Sequence, residues 1–185
     1  TWGAFTAAML VSGGVLMKKT IGTVTIGQAP RTDVIPDVVS ILGPGIEIRE
    51  AGALDGLSKE EIASFAPKKG DYVLVTRLAD GTSVQVAEQF ITPRVNQKIA
   101  DHFKSGIQVV LLLCTGEFPD FDEGGLLIRP QKVLYNAVAS VAEGMRIGVL
   151  TPSPEQVEQA ERRWGMISPH ARAVPASPYV DTEAA

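Results

Sequence analysis

The stretch Ile107–Pro119, IQVVLLLCTGEFP, decides the fold. Ile107, Val109, Val110, Leu111, Leu112 and Leu113 form a nearly continuous apolar run. Such a run suits a parallel strand covered on both faces. It leads into Cys114, the single cysteine of the chain, and then into Thr115, Gly116 and Glu117. In open α/β sheets, loops and helix N-termini converge outside the carboxyl ends of the strands, and ligands bind there. A thiol delivered to that edge has a chemical use that a thiol in mid-strand lacks.

Working outward from this strand, the chain alternates between β and α signals. Thr20–Ile26 is a β-branched run that ends in the breaker-rich loop Gly27-Gln28-Ala29-Pro30-Arg31. Thr32 or Asp33 then caps a helix with Pro36 in its first turn and Val34, Ile35, Val38, Val39, Ile41 and Leu42 on its apolar face. Ile46–Arg49 alternates as a second strand. Ser58 with Glu61 makes a capping box for a short helix. Tyr72–Leu78 and Val84–Val86 flank Asp80-Gly81, a hairpin signal. Thr92 as cap and Pro93 as first residue predict the next helix, which carries Val95, Ile99 and Phe103. Beyond the organising strand, Leu126–Ile128 is a brief apolar run and a helix follows at about Gln131–Ala142. Arg146–Leu150 and Ala171–Val174 read as strands, separated by a helix that Ser153 and Gln156 open as a second capping box.

The expected fold is therefore α/β, a mostly parallel sheet flanked by helices. Residues 17–144 make a first α/β lobe and 145–185 the start of a second that is incomplete at its C-terminus. Residues 1–16 have no basic segment ahead of their apolar stretch and read as an extension outside the fold. Asp181-Thr182-Glu183-Ala184-Ala185 reads as the start of a helix or as a frayed tail.

Composition bounds the function. A net charge of −4 gives no electrostatic case for nucleic acid or an anionic membrane surface. No apolar run reaches the ~18 residues of a membrane span, and one cysteine requires no oxidising compartment, so a cytoplasmic protein is expected. Gly-x-Gly-x-x-Gly and the P-loop are absent, which removes the usual reasons to expect a nucleotide, and no cofactor is expected.

Cys114 is a candidate acid/base or nucleophile, its pKa lowered by backbone N–H groups or an arginine. The alternative is a small buried hydrophobe. An arginine six residues on would mark a phosphatase, but Asp120 stands there, and no cysteine lies three residues away for dithiol chemistry. Arg31 is a candidate bidentate clamp for a carboxylate, or a solvated loop residue, and Gln28 shares its loop. Thr82 and Ser83, with Arg77 beside them at the hairpin, offer donors to a carboxylate, although turn chemistry explains them as well. Thr115 and Gly116 could turn backbone N–H groups to an anion. Glu117 is either a second acid/base group or a surface carboxylate. The acidic run from Asp120 to Gly125 fails as a calcium loop, because its fifth position is Gly124 and its twelfth Gln131. His102 and His170 lack ligand-like spacing, are read as surface residues, and no metal is expected.

The segments TIGQAPR, GALDGLSKEEI, LVTRLADGTSV and LLLCTGEFP, in this order, resemble the AroM family, which is similar to the aspartate/glutamate and hydantoin racemase superfamily. The resemblance spans about Lys18 to Tyr179. It implies two similar α/β halves with the site in the cleft between them, and cofactor-independent isomerase chemistry using one strand-end cysteine from each half. Cys114 resembles the first of these, and no second cysteine occurs in the sequence. The expected ligand is a small carboxylate-bearing metabolite held by Gln28, Arg31, Arg77, Thr82, Ser83, Thr115 and Gly116 around Cys114. The rivals are a metabolite-binding protein without catalysis, and a fragment that covers its exposed sheet by forming a homodimer.

Overall fold

The computed structural model describes residues 19–121, 124–142 and 144–177. Residues 1–16 and the C-terminal helix signal at Asp181 lie outside them. The elements run β1 (Lys19–Thr25), α1 (Ile35–Leu42), β2 (Ile46–Gly52), α2 (Lys59–Ala63), β3 (Val73–Arg77), β4 (Ser83–Ala87), α3 (Glu88–Lys104) and β5 (Val109–Leu113). They continue with β6 (Leu126–Ile128), α4 (Pro130–Ala139), β7 (Gly148–Thr151), a 3-10 turn (Pro154–Gln156), α5 (Val157–Gly165) and β8 (Arg172–Pro175).

A parallel sheet in the order β2-β1-β5-β6, flanked by helices, forms the body, so the α/β class holds. Its middle is fully buried. Val24 of β1 and Val110 and Leu112 of β5 pack against Val95 and Ile99 of α3, all at most 1 % exposed. The antiparallel hairpin β3-β4 and the parallel pair β7-β8 are separate small sheets.

The chain leaves β1 on one side to make β2 and returns on the other to make β5. The strand order therefore reverses between β1 and β5, and the loops that follow these two strands diverge and open a crevice at their carboxyl ends. Thr25 pairs with Leu113, so the strands end level and Cys114 leaves the sheet beside Ile26.

Four local expectations give way to tertiary contacts. Helix α3 starts at Glu88, with Ala87 as N-cap and Pro93 in its interior. Its first turn is held from outside by the Glu88 N–H donating to the Tyr72 carbonyl (2.9 Å), by Phe90 stacking on Phe65, and by buried Ile91. These contacts outweigh the Pro93 start signal. Helix α1 starts at Ile35 without a side-chain cap, because the Asp33 carboxylate is taken by Arg31. It also buries none of its residues, leaving Val39, Ile41 and Leu42 exposed. The Ser153 capping box does not form: Ser153 makes no side-chain cap, and the Gln156 amide donates to the Val73 carbonyl instead (3.1 Å). His102, read as a surface residue, is buried under β1 with Nε2 donating to the Thr23 carbonyl (3.2 Å), and burial lowers its pKa. Its ring fills the space over Gly22, where an added Cβ would lie 2.9 Å from it. The Ser58–Glu61 capping box forms in full.

Gly27 fixes how the β1 loop meets the hairpin. A Cβ there would sit 2.2 Å from the Arg77 carbonyl oxygen, while the Gln28 N–H donates to that same carbonyl at 3.3 Å. Gly148 in β7 has nothing within 4 Å of its Cβ position. Gly27→Ala should therefore cost about 1–3 kcal/mol in urea unfolding, and Gly148→Ala should stay within about 0.5 kcal/mol of wild type. Equal midpoints for the two variants would contradict this packing.

Candidate functional site

The crevice at the β1/β5 switch point opens into a cleft of about 450 Å3, in the size range of small-molecule sites. One wall is the strand ends: Ile26, Arg31, Leu113, Cys114, Thr115 and Gly116. The hairpin adds Tyr72 and Leu74 to Thr76, and α4 adds Pro130 and Leu134. The opposite wall comes from β7 and α5, with Val149 to Pro152, Gln156, Gln159, Ala160, Arg163 and Trp164.

Arg31 reaches the strand end through a cis Ala29-Pro30 bond. Its guanidinium is buried (side chain 7 % exposed) and engaged on three sides. Nη1 donates to Thr25 Oγ1 at 2.9 Å, while Nε and Nη2 grip the Asp33 carboxylate bidentately at 2.8 and 2.9 Å. The Arg77 guanidinium also faces Asp33, at 3.8 Å. The Arg31 hydrogen bonds, helped by its charge, hold the Asp33 carboxyl below its ordinary pKa. The Arg31 backbone N–H donates to Glu50 Oε2 at 2.7 Å. Arg31 thus organises its own loop while lining the cleft.

The loop after Cys114 is held from outside. Arg163 of α5 donates from Nη1 to the Thr115 carbonyl (3.0 Å), and its Nε lies 3.7 Å from Glu117 Oε1. The Arg163 side chain is 10 % exposed and lies over the Trp164 ring at 5.2 Å, with Tyr135 beyond. The Glu117 N–H donates to the Tyr72 hydroxyl at 3.2 Å, and burial raises the Tyr72 pKa. Helix α5 is itself seated on the edge of β3. The Gln159 amide accepts from Val73 N–H (3.3 Å) and donates to the Val73 carbonyl (3.1 Å), as a neighbouring strand would.

The cysteine departs from the sequence reading. Its Sγ accepts from the Gly116 N–H at 3.3 Å, and Arg31 and Arg163 both favour the thiolate. Burial outweighs them and pushes the pKa up to about 11. Cys114 therefore faces the cleft as a neutral S–H.

Of the residues singled out from the sequence, Arg31, Cys114, Thr115 and Gly116 share the cleft. Gln28, Arg77, Thr82 and Ser83 do not line it. Gln28 bridges the Leu54 carbonyl (3.2 Å) and the Ala79 N–H (3.0 Å), and so ties two loops together. Thr82 donates its N–H to Asp80 Oδ1 at 2.9 Å, the turn chemistry weighed above, and both Thr82 and Ser83 are exposed. Tyr72, Gln156, Gln159 and Arg163 escaped the sequence reading. The only trace of the α5 group was the spacing of Gln156, Gln159 and Arg163 along one helical face. Among the described residues no group of three or more His, Cys, Asp or Glu could hold a metal ion, and no helix is long and apolar enough to cross a membrane.

Fold and cleft together define an α/β protein with a switch-point cleft lined by two arginines and one thiol. The chain belongs to the AroM family: the family described as AroM protein matches residues 21–185. No curated protein and no solved structure matches it.

The thiol carries a pH signature. The unfolded chain loses the Cys114 proton at an ordinary thiol pKa near 9, and the folded chain keeps it until about pH 11. The stability this contributes is complete below pH 9 and is lost as pH rises towards 11. The stability of wild type relative to Cys114→Ala should fall across that window, and iodoacetamide labelling should accelerate through it. A labelling rate that levels off below pH 9 would contradict the burial.

Proposed function

We propose that the cleft binds a small carboxylate-bearing metabolite, and that Cys114 meets it as a protonated thiol, a proton donor rather than a resting nucleophile. The observation that carries this reading is the pairing of two buried guanidiniums, Arg31 and Arg163, with the Thr115-Gly116 backbone around one neutral S–H. Leu74, Leu113, Leu134, Val149 and Trp164 make the remaining walls apolar, which strengthens charge–charge attraction inside. Arg163 is the natural anchor, since its second partner Glu117 is half-exposed and 3.7 Å away, whereas Arg31 is gripped bidentately by Asp33. In this reading β7, α5 and β8 form the facing half of the site.

A proton donor on one face suits protonation of an enolate-like carbon. Exchange on both faces needs a second group, and these 185 residues hold one cysteine. The raised thiol pKa also favours a second reading, a metabolite-binding protein without proton transfer.

Thermal melting with succinate and with its uncharged diamide tests the binding claim. Succinate should raise the midpoint, the diamide should leave it unchanged, and Arg163→Gln should weaken succinate binding about tenfold or more. Equal shifts from both compounds would overturn the carboxylate reading. Deuterium entering the bound carboxylate next to its carboxyl group, lost in Cys114→Ala, would separate proton transfer from binding alone.

A further inference from the structure

The loop after Cys114 turns two consecutive backbone donors onto side chains. The Gly116 N–H donates to Cys114 Sγ at 3.3 Å, and the next amide, that of Glu117, donates to the Tyr72 hydroxyl at 3.2 Å. Glycine at 116 allows this close approach: a Cβ there would lie 2.7 Å from Leu74 Cδ2 and 3.3 Å from Sγ. Arg163 Nη1 steadies the same loop through the Thr115 carbonyl. One clamped loop therefore holds a thiol and a phenol, and both residues line the cleft.

Tyr72 reaches the loop from the hairpin side. Its backbone carbonyl accepts from the Glu88 N–H at 2.9 Å, and its ring packs against the buried core. A phenolic hydroxyl has one hydrogen to donate and an oxygen that accepts. Glu117 fills the accepting role, and no described residue accepts the hydrogen. An O–H whose oxygen already takes an N–H is the better donor for it. The charges of Glu117, Arg163 and Cys114 all act on this hydroxyl, which places it among the groups of the site. Desolvation keeps both the phenol and the thiol protonated at neutral pH. The loop thus presents two neutral donors, and an ionised carboxylate, which only accepts, is their complement.

We propose that Tyr72 is a ligand-contacting residue of this cleft, its O–H donating to the carboxylate beside the Cys114 thiol. The assignment rests on the carboxylate reading above and names the neutral donor on its strand-end side. Tyr72 donates without giving up its proton, so it orients the anion while Cys114 remains the acid. In an enolate-like form of the ligand, the same O–H meets the oxygen on which negative charge collects.

Tyr72→Phe keeps the ring and the backbone bond to Glu88 and removes only the hydroxyl. In calorimetric titration of the full chain, the variant should bind succinate about tenfold or more weakly than wild type. At saturating succinate, wild type should also give a tyrosine ultraviolet difference spectrum that Tyr72→Phe lacks, a signature of the phenol meeting the ligand. Equal succinate affinity in the two proteins would overturn the Tyr72 assignment and leave the carboxylate reading standing. Weaker binding by the variant with no tyrosine difference spectrum in wild type would make Tyr72 a tether of the loop, and would overturn the assignment in the same way. No binding of succinate by wild type would overturn both.

Discussion

The bond from Arg163 Nη1 to the Thr115 carbonyl is where separate sheets become one cleft. The parallel sheet ends at Cys114, the hairpin stands beside it, and the β7-β8 pair carries α5 on its flank. Three side chains of α5 and the turn before it span the gap: Gln156 and Gln159 on the Val73 backbone, and Arg163 on Thr115. Charged guanidinium-to-carbonyl bonds are among the stronger hydrogen bonds. This contact and the Gln156 and Gln159 bonds to Val73 together set the distance between the wall and the thiol.

The electrostatics of the cleft turn on the partly buried Cys114, whose desolvation raises its pKa further than two arginines and the backbone N–H groups of Thr115 and Gly116 lower it. A thiol at an open strand end would be an ordinary acid. The surroundings that give the cleft its volume therefore also keep Cys114 protonated. Arg31, fixed by Thr25 and Asp33, belongs to the permanent frame, and Arg163 joins α5 to the loop after Cys114 through Thr115 and Glu117.

Much of the frame was legible in the sequence because it rests on local signals. The apolar run at Ile107–Leu113, the Asp80-Gly81 hairpin, the Ser58–Glu61 box and the strand-end placement of Cys114 each follow from neighbours in the chain. The start of α3 and the uncapped α1 were not legible, since Phe65, Tyr72 and Arg31 decide them through contacts across the fold. His102 was misplaced because its partner is a backbone carbonyl of β1, which leaves no pattern in the sequence. Half of the site was hidden for the same reason. Gln156, Gln159 and Arg163 sit in a polar helix whose composition suits a solvated surface, and only the docking of α5 on β3 turns them inward. The direction of the Cys114 shift was hidden too, since donors are visible in a motif and enclosure is not.

Amide hydrogen exchange with and without succinate tests the central claim most directly, that the strand end at Cys114 and the facing helix α5 bind one anion between them. Saturating succinate should slow exchange in two segments together, the loop at Cys114–Phe118 and the helix Val157–Gly165. Slowing confined to one of them, or to neither, would contradict a shared site.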